Sequence, residues 1–338
     1  MIEQLGPPTL FFTLSSANTK WPDLHKLFPK TQSNTVHHNR MQFIENLVNN
    51  PHITTLYLHL RFQIFRDEVI VKQLHATDHW YRYEWQHRGS AHIHGFLWLP
   101  QAPNIDNLDS SNHESIQSVK NLFDQYITTW NPRTEVDHLN KQYIPAISNP
   151  CLSNTGVISR SEPCTDYTEL VNVVQCHMKC LEYTCLKKNS TLKCRYKAHW
   201  PEQHDSSLTL DHNNNPSYKP ARNDSRLNVH NPMMLAIWRA NVDCQAICSK
   251  KAILQYISKY VSKTEHKSES YIDILKRIVG LINSEDTILL AYHRFMMGIV
   301  ADRDISTQET CHMLLKLPLI SCTRQFVNLN VGKKIFQL

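Results

Sequence analysis

Two histidines, His92 and His94, stand one residue apart in RGSAHIHGFLWL, residues 88–99. This stretch has the apolar alternation of a β-strand, in which successive side chains point to opposite faces. The two imidazoles would therefore share one face, while Ile93 points into the core. Such a pair can bind one divalent cation, and two ordinary half-buried histidines on a sheet are the alternative interpretation.

The run HWYRYEWQ precedes this strand and is separated from it by HRGS, which predicts a β-hairpin with Gly89 in the turn. Glu84 and Gln86 share a face of the first strand, so one of them would supply a third, oxygen ligand. Two nitrogen ligands and one oxygen ligand leave positions open for substrate oxygens. That set suits Mg²⁺ or Mn²⁺ acting as a Lewis acid rather than a closed structural zinc.

A second group with chemical potential lies in AILQYISKYVSK, residues 252–263, which predicts a helix. Tyr256 and Tyr260 are four residues apart on one face, and Lys259 and Lys263 form a similar pair on an adjacent face. A tyrosine can attack a phosphodiester and form a phosphotyrosine ester when a metal polarises the phosphate. The tyrosines also belong to an apolar stripe, so packing is the alternative.

A cysteine-rich block, QCHMKCLEYTCLKKNSTLKCRYKAHWP, predicts a tetrahedral structural zinc site. The four candidate ligands have the spacing H-x2-C-x4-C-x8-C and are His177, Cys180, Cys185 and Cys194. Cys176 could replace one of them, and buried reduced cysteines without a metal are the alternative.

Basic side chains near these motifs are candidates for contacts with phosphate groups. They are Arg88, Lys187, Lys188, Lys193 and Arg195, in addition to the two lysines of the tyrosine helix. Three tryptophans, Trp80, Trp85 and Trp98, could stack on unpaired bases, although burial on strands is the default for such residues. The whole chain is only mildly basic, with 36 Lys and Arg against 30 Asp and Glu.

The 338 residues, 41% of them apolar, suffice for one large domain or two smaller ones. We expect an α+β fold with a central antiparallel sheet that carries the histidines, flanking helices and a small zinc-binding insertion. The pattern predicts a strand from Thr9 to Leu14 and helical spacing from Asn39 to His75, with a broad apolar helix face made by Leu58, Leu60, Phe62, Phe65 and Val69. It also predicts loops over 101–120 and 210–225 and helices over 252–264, 271–283, 286–300 and 306–315.

The N-terminal sequence MIEQLGPPTL lacks the features of a secretory signal, and the apolar run TILLAYHRFMMGIV is too short and too interrupted to span a bilayer. These features predict a soluble intracellular protein without a membrane partner, with thiols reduced and available to metals.

Four ordered segments resemble one known family. They are LGPPTLFFTLSSANTKWPDL, YRYEWQHRGSAHIHGFLWL, LNVHNPMMLAIWRANVDCQAICSKKAILQYISKYVSK and RDISTQETCHMLLKLPLISCTRQFVNLNV. Together they resemble the Rep nuclease domain of Helitron transposases (the Helitron helicase-like N-terminal domain), in the HUH endonuclease superfamily with two tyrosines. The family often has proline where this chain has Ala91, and CRYKAHWP departs from its usual ending of the zinc block.

The resemblance implies a metal-dependent endonuclease and strand transferase of a rolling-circle transposon. Its partners would be single-stranded DNA of the transposon ends and target, and it would act in the nucleus. Cleavage would leave a 5′-phosphotyrosine and a free 3′-OH. The implied organisation is a nuclease core over 1–110 and 226–338, with a zinc-binding insertion over 145–205.

Helitron transposases normally continue into a helicase with a phosphate-binding G-x-x-x-x-G-K-[ST] loop. No two of the seven glycines here are five positions apart, so this chain lacks that motif. Two other functions remain open: a plasmid- or virus-type rolling-circle replication initiator, and a catalytically silent DNA-binding module descended from a transposon.

Overall fold

The computed structural model describes residues 2–29, 40–85, 90–100, 102, 112–132, 165–177, 194, 198–210, 216–248, 253 and 306–325. Within these residues the chain is α+β, as expected. Its centre is a five-stranded antiparallel sheet in the order β6-β1-β3-β2-β7. These strands are β1 (Leu10–Ser15), β2 (Asp78–Trp85), β3 (Ala91–Trp98), β6 (Val242–Ala246) and β7 (Ile320–Cys322).

The hairpin predicted around HRGS is confirmed by the pairing of β2 with β3 from Asp78↔Trp98 to Trp85↔Ala91. The strand expected at Thr9–Leu14 is β1, displaced by one residue. It pairs with β3 on one side and with β6 on the other, so it lies near the middle of the sheet.

One face of the sheet is covered by helices and holds the main core. The alternation of β1 sends Leu10, Phe12 and Leu14 to this face, where each is at most 1% exposed. The opposite face of the sheet has an apolar part and a polar part, which follow one another along the strands. An apolar cluster that includes Phe11 and Phe96 covers one end, and polar side chains occupy the other end.

The helices are short apart from two. They are α1 (Ile2–Leu5), α2 (Pro22–Lys26), α3 (Arg40–Asn49), α4 (Pro51–Phe65), α5 (His113–Tyr126), α6 (Thr165–Leu170), α7 (Pro232–Trp238) and α8 (Thr307–Leu314). A π-helical segment, Arg66–Gln73, continues α4, and another, Val171–Gln175, continues α6. No helix among the described residues is long and apolar enough to span a bilayer.

Helix α4 packs on the sheet through the apolar face expected from its sequence. Leu58, Phe62 and Phe65 are buried. The rings of Phe62 and Tyr81 pack edge to face, with their centroids 4.7 Å apart. Leu60 had been assigned to the same face, and that assignment is wrong, since its side chain is 52% exposed. With 3.6 residues per turn, Leu60 is rotated too far from Leu58 and Phe62 to reach the sheet.

A buried arginine joins α4 to α7. The guanidinium of Arg61 lies 4.7 Å from the ring centroid of Trp21 and 5.4 Å from that of Trp238. It donates hydrogen bonds to the carbonyl oxygens of Ile237 and Trp238, at 3.2 and 2.8 Å. These are carbonyls of the last turn of α7, where no helical N–H is available to them. Helix α7 then ends at Arg239 in the left-handed conformation, with φ of 62°.

Two loop predictions are wrong. Residues 101–120 include the first half of α5, whose start is capped by Asn112 accepting from the backbone N–H of Ser115. Residues 210–225 include β5 (Pro216–Lys219), which pairs with β4 (Ser207–Leu210) in a second, two-stranded sheet. In both segments the Asn, Ser and Pro content reflects caps and turns at the ends of short elements. The helix expected over 306–315 is confirmed as α8.

Candidate metal centre

His92 and His94 project from the polar end of β3 on the same face of the sheet, as their spacing predicted. Ile93, between them, is fully buried on the opposite face. The centroids of the two imidazole rings lie 6.1 Å apart and the rings are nearly parallel, at 14°. His94 is 5% exposed, and His92 is half-buried.

Glu84 joins the two histidines from the neighbouring strand. Its Cα is paired with that of His92 in the register of β2 and β3. Its Oε2 lies 2.8 Å from Nε2 of His94, and both side chains are mostly buried, at 22% and 7% exposure. Of the two oxygen ligands considered from the sequence, Glu84 is the one placed at the histidines. Gln86 lies outside the described residues.

The spacing of Glu84 and His94 is compatible with two ligands of one cation. Adjacent ligands at about 2.1 Å from an octahedral metal are separated by about 3.0 Å, close to the 2.8 Å between Oε2 and Nε2. His92 does not yet complete the set. Within the described part of the chain, no three His, Cys, Asp or Glu side chains converge as a metal site.

Two hydroxyl groups on β1 contact the histidines from the side opposite to Glu84. Oγ1 of Thr13 lies 2.9 Å from Nδ1 of His94, and Oγ of Ser15 lies 3.4 Å from Nδ1 of His92. Both contacts follow from the strand register, which pairs Thr13 with His94 and Ser15 with His92. The sequence analysis missed these residues. The available signal was the T-x-S alternation in FFTLSS, which places both hydroxyls on one face of the predicted first strand.

Further polar residues share this face. Asp243 of β6 is paired with Thr13, and Arg82 of β2 is paired with His94. Gln245 donates to both carboxylate oxygens of Asp243, at 3.1 and 2.9 Å. Together with Glu84, this end of the sheet therefore carries two carboxylates and one guanidinium around the histidines.

The apolar end of the same face contains two of the tryptophans considered for base stacking. Trp80 and Trp98 are 9% and 6% exposed and pack with Phe96 and Phe11. The third, Trp85, lies against His312 with ring centroids 4.8 Å apart. The packing interpretation therefore holds for Trp80 and Trp98, because little of either ring is accessible to a base.

Of residues 252–263, the segment expected to form the helix with the two tyrosines, the structure describes one residue, Ile253. Ile253 is 2% exposed and belongs to the apolar cluster with Phe11, Trp80, Phe96 and Trp98. Ile253 therefore lies on the histidine face of the sheet. Tyr256, Tyr260, Lys259 and Lys263 themselves lie outside the described residues.

In the cysteine block, two of the four candidate ligands are described, and they lie together. Sγ of Cys194 is 3.5 Å from Nε2 of His177. A thiolate and an imidazole on one tetrahedral zinc, at about 2.3 and 2.0–2.1 Å, would be separated by about 3.5–3.6 Å. Cys180 and Cys185 lie outside the described residues.

Cys176, the possible substitute ligand, faces away from this pair. Its Sγ lies 4.0 Å from Oδ1 of Asn172 and 4.0 Å from Nδ2 of Asn131. Burial raises the pKa of its thiol to about 12, which disfavours the thiolate that zinc requires. Burial also lowers the pKa of His177 and favours its neutral, metal-binding form.

The basic residues selected for phosphate contacts, Arg88, Lys187, Lys188, Lys193 and Arg195, all lie outside the described residues. The apolar patterns around Cys244, Cys248, Cys311 and Cys322 predict core positions. Cys244 and Cys248 are buried, but Cys311 and Cys322 are only half-buried.

Comparison with known protein families gives one match. Residues 1–97 match the family described as the Helitron helicase-like domain at the N-terminus. The matched segment contains β1, β2 and nearly all of β3, and therefore includes Thr13, Glu84, His92 and His94. No curated protein matches the chain.

Proposed function

We propose, from the match of residues 1–97 to the Helitron helicase-like N-terminal domain, that this chain is a single-stranded DNA nuclease of a Helitron-type transposon. In this proposal it nicks DNA as an HUH enzyme does, through a covalent phosphotyrosine. Its partners are the DNA of transposon ends and target and a helicase domain, and it acts in the nucleus.

The observation that carries the proposal is the contact between Glu84 and His94, 2.8 Å apart on the face that also carries His92. In this proposal one carboxylate and two imidazoles would provide a mixed oxygen and nitrogen ligand set, which suits Mg²⁺ or Mn²⁺ with open positions for phosphate oxygens. Bound there, the cation would polarise the scissile phosphate.

Chain connectivity supports a role for the tyrosines. Ile253 belongs to the same apolar cluster as Phe11, whose ring stacks on that of His94 with centroids 6.2 Å apart. Consecutive Cα atoms are about 3.8 Å apart, so the Cα of Tyr256 can be no more than about 11 Å from that of Ile253. If the helix expected from the sequence forms, Tyr260 is one further turn away.

The proposed reaction is a transesterification. The phenol oxygen of Tyr256 or Tyr260 attacks the phosphorus atom and gives up its proton, and the bond from phosphorus to the 3′ oxygen breaks. That oxygen leaves as a 3′-OH after it takes up a proton, and the downstream strand stays on the tyrosine through its 5′ phosphate. Lys259 and Lys263 would neutralise charge on the phosphate and favour the phenolate. The second tyrosine would hold the other cleaved end during strand transfer.

The test is covalent capture of DNA. The chain is incubated with a labelled single-stranded oligonucleotide and Mn²⁺, and the products are separated under denaturing conditions. We expect a protein–DNA adduct that is lost in the Tyr256→Phe/Tyr260→Phe double variant. Tyr126→Phe, at the end of α5, removes a phenol away from the site and should leave the adduct unchanged.

Two further variants test the metal ligands. Glu84→Ala and His94→Ala should each abolish the adduct and weaken Mn²⁺ binding measured by calorimetry, because each removes one ligand. An adduct that persists in the double tyrosine variant would overturn the proposal, as would wild-type Mn²⁺ affinity in both ligand variants.

The same capture experiment separates the two alternatives. A catalytically silent DNA-binding module would bind the oligonucleotide with strong salt dependence and give no adduct at any Mn²⁺ concentration. A replication initiator would form an adduct only with an oligonucleotide that contains its own origin hairpin. The intact pair of Glu84 and His94 favours the active nuclease over the silent module.

We also propose a structural zinc at His177, Cys180, Cys185 and Cys194, supported by the 3.5 Å spacing of His177 and Cys194. The purified chain should contain one zinc per molecule by mass spectrometry of the metal. Cys194→Ser should lose it, and Cys322→Ser, which changes a cysteine far from the block, should retain it. Full zinc content in Cys194→Ser would contradict this assignment.

A further inference from the structure

The hydroxyl groups of β1 have a position that the proposed nuclease site explains. His94 is held on both ring nitrogens, by Glu84 at Nε2 and by Thr13 at Nδ1, at 2.8 and 2.9 Å. His92 has a similar but longer contact, from Nδ1 to Oγ of Ser15 at 3.4 Å. Both contacts arise from directly paired positions of β1 and β3, so the strand register fixes them.

We infer that Thr13, with Ser15 in a weaker role, is a positioning residue that sets the tautomer of the metal-binding histidine. This inference rests on the proposed function. A histidine binds a metal with a nitrogen that has lost its proton, and a partner on the other nitrogen orients the ring and fixes the tautomer. Thr13 occupies the position of that partner.

A hydroxyl group suits this position because it can both donate and accept. Without a cation, a neutral His94 carries its proton on Nε2 and donates it to Glu84, so Nδ1 accepts from the hydroxyl of Thr13. When a cation binds Nε2, the ring proton must be on Nδ1, and the hydroxyl of Thr13 turns to accept it. The ring gives up its proton at Nε2 and takes one up at Nδ1, so its net protonation does not change.

Loss of the contact between Thr13 and His94 should matter because His94 is buried. His94 is 5% exposed, so water has little access to replace a lost partner on its ring. A valine at position 13 would keep the branched shape and strand preference of threonine but could neither donate to nor accept from Nδ1.

The first test is metal affinity. Mn²⁺ binding to the full chain is measured by calorimetry for the wild type, Thr13→Val and Thr13→Ser. We expect Thr13→Val to weaken binding about 10- to 100-fold, the range seen when such outer partners are removed, and Thr13→Ser to restore it to within about threefold of wild type. Ser16→Ala is the matched control. It removes a hydroxyl of the same chain segment that contacts Ser90 at 2.9 Å, so it should bind as wild type.

The second test reads the tautomer without activity. Nitrogen-15 shifts of the His94 ring should report N–H at Nε2 in the metal-free wild type and at Nδ1 with saturating Mg²⁺. In Thr13→Val the metal-bound shifts should move away from the wild-type values. Wild-type affinity and wild-type shifts in Thr13→Val would overturn the inference.

The inference can be tested even if the Thr13→Val variant does not fold. If Thr13→Val fails to fold, Ser15→Ala, which truncates the weaker contact, should still reduce Mn²⁺ affinity several-fold, and no loss there would overturn the inference. The proposed function fails separately, if the wild type gives no adduct and binds no Mn²⁺. The metal-free shifts of His94 would then still report whether Thr13 sets the tautomer.

Discussion

Gly95, which directly follows His94, should not tolerate even a methyl group. A Cβ built at this position would lie 2.4 and 2.5 Å from Cζ and Cε1 of Phe12, and 2.7 Å from the carbonyl oxygen of Trp80. Ordinary contacts between carbon atoms are about 3.5–4.0 Å, so the overlap with the Phe12 ring is about 1 Å. Gly95 and Phe12 are directly paired on the core face, where Phe12 is 1% exposed and has no room to turn.

The size of the effect follows from these two obstacles. Overpacking a core costs about 1–3 kcal/mol, and Gly95→Ala belongs at the upper end because the Trp80 oxygen is part of the backbone of β2. At roughly 2.1 cal/mol/K per residue over 338 residues, a loss of about 3 kcal/mol would lower the midpoint of thermal unfolding by about 4 °C. Chemical unfolding followed by tryptophan fluorescence gives the free energy directly.

A double-mutant cycle with Phe12→Leu tests the cause. The smaller side chain removes the ring collision but leaves the Trp80 oxygen in place, so Phe12→Leu should cost less in the Gly95→Ala background than in the wild type. We expect a coupling energy of about 1 kcal/mol or more. Gly95→Ala within about 0.5 kcal/mol of the wild type, or strictly additive changes in the cycle, would refute the packing argument.

Three further predictions concern buried charged and titratable groups. His230 is fully buried, and burial lowers its pKa to about 4. The free energy of unfolding should therefore fall by up to about 3 kcal/mol as the pH drops from about 6.5 to 4. In thermal unfolding, the His230→Gln variant should show a weaker pH dependence. Burial alone would raise the pKa of Asp224, but hydrogen bonds from Arg226 and Asn131 outweigh it and lower the pKa to about 2. The stabilisation is therefore present above about pH 4 and lost towards pH 2, and Asp224→Asn should lose about 2 kcal/mol at pH 7 by urea unfolding but little at pH 2. Arg61→Met removes the charged donor to two carbonyl oxygens at the end of α7 and should lower the free energy of unfolding by about 3 kcal/mol, measured by urea unfolding. An unchanged unfolding midpoint would show that water replaces the guanidinium.

The sequence predicted the parts of the site that depend on local periodicity. Strand alternation is enough to put His92 and His94 on one face, and a short polar turn is enough to predict the hairpin that places Glu84 opposite them. Thr13 and Ser15 were missed because their role depends on which strand lies beside β3. The pairing of β1 with β3 connects residues about 80 positions apart, and no local pattern encodes it.

The same reason explains the errors in the elements. Leu60 was assigned to the buried face because it is apolar, but helical rotation decides exposure. The loops expected over 101–120 and 210–225 contain a helix start and a strand, because capping residues and turn residues are of the same types.

The order of the sheet has a consequence for dissecting this protein. The segment 1–97 supplies the three inner strands, but β6 and β7, which flank them, come from Val242–Ala246 and Ile320–Cys322. A fragment cut after residue 97 would expose unpaired N–H and C=O groups along both β1 and β2, the type of edge that promotes association between chains. The segment 1–97 therefore does not complete the sheet, whose closure depends on contacts between residues more than 200 positions apart, and such distant contacts favour slow assembly.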